Sequence, residues 1–164
     1  MSPFFKGDKG GCEGDSGSCH TPFTHTRELV LFPGEIAMKK KILLVEDNPD
    51  NRYVVIRLLK SLEAEIIVAE DGLSALEIAR KEIPNLILMD MQLPELSGYD
   101  VTKKIREMKG MESTPVIAVT AHCMTGDREK TIQCGCTDFI EKPIVPNEFI
   151  QKIKSYLAIE DLTD

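Results

Sequence analysis

The feature that most constrains this chain is Leu86-Ile87-Leu88-Met89, four large apolar side chains in a row between Pro84 and Pro94, closed by the carboxylate of Asp90. An unbroken apolar run, lacking the polar alternation of a half-solvated sheet, predicts a strand buried on both faces. An acid at its carboxyl end serves no packing purpose. The crevice beyond the strand C-termini is, however, where open α/β sheets bind ligands. Three further runs end in polar groups. Ile42-Leu43-Leu44-Val45 leads into Glu46-Asp47, Val116-Ile117-Ala118-Val119 into Thr120, and Phe139-Ile140 stops just before Lys142. Four strand ends thus offer three acids, one hydroxyl and one ammonium to a single edge of one sheet.

Helical signals fill the gaps. Asn48-Pro49 predicts a helix start, with Asn as cap and Pro in the first turn. Val55, Leu58, Leu59 and Leu62 then form one helical stripe. After the short β-branched run Ile66-Ile67-Val68-Ala69, the residues Leu73, Leu76, Ala79 and Ile83 mark a second helix ending at Pro84. Val101 and Ile105 face inward on a third, and Gly135 is placed to cap a fourth that covers about 126–133. Phe149, Ile153, Tyr156 and Leu157 line a fifth. Five repeats of strand then helix with short loops predict an α/β fold, a doubly wound five-stranded parallel sheet with five helices.

Residues 1–37 differ in kind. They hold six of the eleven glycines and three prolines, and their only apolar run is Leu29-Val30-Leu31-Phe32. Such a composition buries too little surface to offset chain entropy, so a disordered tail is expected. Six residues separate Cys12 from Cys19, a wider gap than in the paired cysteines of zinc knuckles, which disfavours a metal site with His20 and His25. Met38, followed by three lysines and the first strand, suits a native start, and Gly34-Glu35 can be encoded by a purine-rich ribosome-binding sequence. Residues 1–37 are then upstream sequence read into the frame, and native peptides from that stretch would refute it. The folded domain is expected over 38–160, with 161–164 as a short tail. Net charge −7 argues against a nucleic-acid-binding module. No apolar stretch approaches the roughly 20 residues of a membrane span. An odd number of cysteines, five, favours reduced thiols in a cytoplasm over a disulfide framework.

Over residues 39–158 the chain resembles a response-regulator receiver domain, of the flavodoxin-like fold. The match lies at Glu46-Asp47, Asp90, Pro94, Gly98, Thr120-Ala121, Phe139 and Lys142-Pro143. No one dipeptide is specific, but their joint order at strand ends is. The wording Leu88-Met89-Asp90-Met91-Gln92-Leu93-Pro94 and that around Thr120 are most similar to stand-alone receivers of the DivK-like cell-cycle kind. The resemblance implies strand order 2-1-3-4-5 and a cis Lys142-Pro143 peptide.

Three carboxylates within a few ångströms carry a physical cost. Two like charges about 4 Å apart repel by roughly 4 kcal/mol at an effective dielectric near 20. Such a cluster shifts its proton affinities or recruits a cation, and oxygen donors with room for water suit Mg²⁺. By resemblance, Asp47, Asp90 and the backbone carbonyl of Gln92 touch the metal, while Glu46 acts through a bound water. Asp90 is then the nucleophile that accepts a phosphoryl group. Lys142 and Thr120 contact the phosphoryl oxygens, and Ala121 leaves access. Thr120 and Phe139 form the switch that alters the face of helix four, strand five and helix five. Gln92 and His122, each two residues beyond a key position, tune the lifetime of the phosphorylated state in a direction left open. Alone, a Thr at a strand end is usually a cap and a Lys before Pro is usually solvated; their conjunction favours the functional roles. Cys134 and Cys136 read as buried small side chains more readily than as a redox or metal pair.

The expected function is a single-domain response regulator of a two-component phosphorelay. It takes phosphate on Asp90 from a histidine kinase or a histidine phosphotransfer protein and binds a downstream protein target; a homodimer stays open. Only seven residues follow Leu157, so no DNA-binding or enzymatic output domain is expected. An intermediate phosphate carrier is the alternative. An aspartyl-phosphate hydrolase is disfavoured because its second acid, two residues after the nucleophile, is here Gln92.

Overall fold

The computed structural model describes residues 39–121 and 125–158. The expectations for residues 1–38, His122 and 161–164 lie outside the described residues. Strand and helix alternate five times: β1 (Lys41–Val45), α1 (Pro49–Leu59), β2 (Glu65–Ala69), α2 (Gly72–Glu82), β3 (Leu86–Asp90), α3 (Gly98–Arg106), β4 (Val116–Thr120), α4 (Thr125–Gln133), β5 (Asp138–Glu141) and α5 (Pro146–Leu157). The strands form one parallel sheet in the order β2-β1-β3-β4-β5. This is the doubly wound, flavodoxin-like receiver arrangement expected from the sequence.

The two-residue period of each strand divides the core into two layers. Leu43, Val45, Ile87 and Met89 pack with Ala75, Ala79, Val101 and Ile105 of α2 and α3. Ile42, Leu44, Leu86 and Leu88 face the other way, onto Val55 and Leu59 of α1 and Phe149, Ile153 and Leu157 of α5. β3 lies in the middle of the sheet, and all five of its residues are buried. That explains why it reads as apolar without alternation.

Local chemistry sets the helix ends. Asn48 Oδ1 accepts the amide protons of Asp50 and Asn51, with Pro49 behind it in the first turn. A one-turn 3-10 extension of α1 carries Leu62 into the core. Asp71 and Ser74 form a reciprocal cap on α2, and Gly135, at φ +100°, ends α4.

One expected stripe is rotated. On α2, Ala79 is buried and Leu76 packs on the core as expected, but Leu73 and Ile83 are 58% and 57% exposed, and Ala75 is buried in their place. α2 approaches α3 too closely for large residues: a Cβ on Gly72 would lie 2.7 Å from Val101 Cγ2. Ile83 leaves the helix altogether, taking a left-handed C-cap conformation at φ +44°.

Candidate functional site

Strand register gathers the polar groups. β1 pairs with β3 as far as Val45 opposite Met89, so the next residues, Glu46 and Asp90, emerge side by side. Asp90 pairs with Val119 of β4, and Thr120 pairs with Glu141 of β5, so the strand ends step across one edge. The Lys142 amide donates to the Thr120 carbonyl at 2.8 Å, which holds the lysine at that edge. The Lys142-Pro143 peptide is cis, as expected.

Lys142 Nζ donates to Asp90 Oδ2 at 2.6 Å and to Glu46 Oε2 at 2.9 Å. Both acids are buried, Glu46 to 2% and Asp90 to 5% exposure, while Asp47 is exposed. The second oxygen of each buried acid is also occupied. Asp90 Oδ1 accepts the Gln92 amide proton at 2.8 Å, and Glu46 Oε1 accepts from Asn51 Nδ2 at 2.9 Å. Burial pushes the Lys142 ammonium toward release of its proton, but the hydrogen bonds and charges of Asp90 and Glu46 outweigh it, and its pKa ends above the ordinary value.

Glu46, Asp47 and Asp90 each offer a carboxylate oxygen, all within 4.8 Å of one another. Three formal negative charges thus face one ammonium. Arg52 does not correct the imbalance, because its guanidinium donates to the main-chain carbonyls of Glu46 and Asp47 and pairs with Glu70 at 3.0 Å. Hard oxygen donors with an excess of negative charge fit a divalent cation such as Mg²⁺.

Thr120 is buried at the end of β4, and Ala121 beyond it is exposed. Phe139 is half-buried against the core layer of α2 and α3, with Arg128 and Lys152 at 5.4 and 5.6 Å from its ring centre. Asn51 and Arg52 were not foreseen as site residues. Their signal was available only in retrospect: polar side chains in the first turn of the helix that follows Glu46-Asp47. Gly98 has a steric reason to be glycine, since a Cβ there would lie 2.2 Å from the Asp90 carbonyl oxygen.

Fold and site together define a class: a parallel α/β domain with an acid trio and a lysine at the C-terminal edge of its sheet. The family model for the response regulator receiver domain matches residues 42–154, and the chain belongs to that family. Among curated relatives it is 47% identical to the polar-differentiation response regulator DivK of Brucella ovis over 121 residues, which cover 74% of this chain and 98% of that protein. DivK of Brucella anthropi matches at the same identity and coverage. Among solved structures, the receiver domain of a sensor histidine kinase from Pseudomonas aeruginosa, with a magnesium ion coordinated in its active-site cleft, aligns with a TM-score of 0.69. It is 37% identical and covers 73% of this chain and 98% of its own. The signal receiver domain of a histidine kinase from Syntrophus aciditrophicus aligns at 0.67 with 26% identity, covering 76% of this chain and 95% of its own. Among the described residues, no helix is long and apolar enough to cross a membrane.

Proposed function

We propose that this receiver domain works as a DivK-like single-domain regulator in the cytoplasm, with Asp90 as its phosphoacceptor. The observation that carries the reading is the lysine clasp: one ammonium bridges Asp90 and Glu46 beside Asp47. The donor is a histidine kinase or a histidine phosphotransfer protein. An Asp90 carboxylate oxygen attacks phosphorus, the bond from phosphorus to the donor nitrogen breaks, and an acyl phosphate results. Mg²⁺, held by Asp47, Asp90 and the Gln92 carbonyl with Glu46 behind them, would neutralise charge on the phosphoryl oxygens when bound. Lys142 gives up its hold on Asp90 and meets a phosphoryl oxygen, and Thr120 donates to another. The domain catalyses only the gain and loss of its own phosphate.

Phosphorylation adds about −1.5 to −2 charge at neutral pH. Thr120 moves toward it, Phe139 follows inward, and the face of α4, β5 and α5 becomes competent to bind a protein target. Support for a single-domain regulator comes from the Brucella relatives, which this chain matches over 98% of their length. The test is labelling with acetyl phosphate and Mg²⁺. Wild type takes up phosphate, while Asp90→Asn takes up none and keeps its circular dichroism. Undiminished labelling of Asp90→Asn would overturn the assignment.

A further inference from the structure

Cys134 and Cys136 flank Gly135 at the junction of α4 and β5, and no step at Asp90 uses them. Both are buried, and their sulfurs lie 3.6 Å apart. At +100° the φ of Gly135 reverses the chain between them, and both side chains join the same core layer. Packing alone does not require two thiols in contact. A disulfide does, with an S–S bond length of about 2.0 Å.

The two thiols are not equivalent. Cys134 lines a groove of about 360 Å³ with Tyr99, Lys103, Lys130 and Gln133, so a small oxidant can reach it. Its thiol donates to the Thr131 carbonyl at 3.0 Å. Cys136 donates to the hydroxyl of Thr102 at 3.8 Å, and that hydroxyl donates in turn to the Gly98 carbonyl. The contact with Cys136 and the positive charge of Lys103 outweigh burial at Cys134 and lower its pKa to about 7, whereas the Cys134 contact and burial push the Cys136 thiol up. Two sulfurs in contact, one of them at the wall of a groove, are placed as an attacking and a resolving cysteine.

We propose that Cys134 and Cys136 are a reversible oxidation site, closing to an intramolecular disulfide with hydrogen peroxide as the oxidant. The Cys134 thiolate attacks one peroxide oxygen, the O–O bond breaks, and the departing hydroxide takes up a proton as water. Cys134 is then a sulfenic acid. The Cys136 sulfur attacks the Cys134 sulfur, the S–O bond breaks, and the Cys136 proton leaves with the hydroxyl as a second water. Two thiols lose two electrons and two protons, and peroxide is reduced to two waters. A thiol reductant reverses the change. Because Cys136 touches Thr102, the disulfide also alters the packing between α3 and the start of β5.

The test uses the full chain, reduced, desalted, and exposed to hydrogen peroxide at levels that leave its methionines intact. Acid quenching, alkylation and trypsin then yield the peptide 131–152, whose only cysteines are Cys134 and Cys136. The expected peptide is two hydrogens lighter, refuses alkylation, and regains two alkylatable thiols with dithiothreitol. Cys134→Ser should leave Cys136 reduced. Cys136→Ser, or Cys136→Ala if the serine variant fails to fold, should leave a Cys134 sulfenic acid that dimedone traps. Two reduced thiols after exposure, or links from this peptide to Cys12, Cys19 or Cys123 in place of the internal bond, would overturn the proposal.

Discussion

Lys142 Nζ reaches Asp90 Oδ2 at 2.6 Å across 52 residues of sequence, and in doing so it spans the end of β4 from β5 to β3. The same ammonium continues to Glu46 at the end of β1. With strands about 4.8 Å apart, one lysine therefore ties together three strand ends that lie across roughly 14 Å of sheet edge. The acid cluster is thus not balanced locally by its own loops; among the described residues, its direct cation comes from the end of β5.

Removing that cation should be felt before any phosphate is present. Lys142→Ala leaves Asp90 and Glu46 buried without their shared partner. Breaking a fully buried pair costs about 3–5 kcal/mol, and partial exposure of the lysine reduces this to about 1–3 kcal/mol. Urea unfolding in chelator should show that loss, and added Mg²⁺ should raise the midpoint more in the variant than in wild type. Equal Mg²⁺ responses would mean that lysine and cation do not share the same carboxylates. Labelling by acetyl phosphate should fall, because the phosphoryl oxygens lose an ammonium contact.

The pH dependence has two separate limbs. At Asp138, burial favours the neutral acid, but Lys152, the Phe139 amide and Tyr156 outweigh it, and the pKa falls below its ordinary 3.8. A depressed carboxyl stabilises the fold above the unfolded pKa and loses that contribution as pH falls through the folded one. Lys142 is the opposite case: its pKa is raised above 10.5, so its contribution is complete below that value and is lost as pH rises through the folded pKa. The stability gap between wild type and Asp138→Asn should therefore be constant at neutral pH and close below about pH 4. The gap for Lys142→Met should close above about pH 10.5. Chemical denaturation across pH measures both, and a Lys142→Met gap that stays fully open above about pH 11 would contradict the clasp.

The sheet and the identity of the site were legible because burial on both faces forces apolar runs, and any polar residue ending such a run stands out. Asp90, Glu46, Thr120 and Lys142 were visible for that reason. The α2 face was legible only at Leu76 and Ala79, because Gly72 and Ala75 carry little hydrophobic signal; their logic lies in the approach of Val101 to Gly72, a long-range fact. Asn51 and Arg52 were hidden for a related reason. A polar residue in a first helical turn is ordinary, and only the folded ends of β1 and β2 give Asn51 the Glu46 carboxylate and Arg52 the carbonyls of Glu46 and Asp47 and the Glu70 carboxylate.

Asn51 should matter more for cation affinity than for stability. Its side-chain amide fixes Glu46 Oε1 at 2.9 Å and so orients the acid behind the proposed metal ligands. Partners of this kind are worth on the order of tenfold in metal affinity when removed. Asn51→Ala should weaken Mg²⁺ binding by about that factor in calorimetric titration, with a stability change below about 1 kcal/mol. Unchanged affinity would remove Glu46 from the account of the cation site.

Two glycines separate steric from conformational demand. A Cβ at Gly98 would meet the Asp90 carbonyl oxygen at 2.2 Å and Met91 Cα at 2.8 Å, both backbone atoms that cannot rotate aside. Gly98→Ala must push α3 away from the end of β3, at a cost of about 2–4 kcal/mol. The displaced backbone carries Asp90 and the Gln92 amide that positions it, so labelling should fall as well. Gly110, at φ +88°, has nothing within 4 Å of such a Cβ. Gly110→Ala meets only the left-handed backbone penalty of about 1 kcal/mol, far from the acids, and labelling should be unchanged. Thermal unfolding and acetyl phosphate labelling of the two variants side by side give the comparison. Equal losses of labelling would show that the close approach of Gly98 does not set the geometry of Asp90.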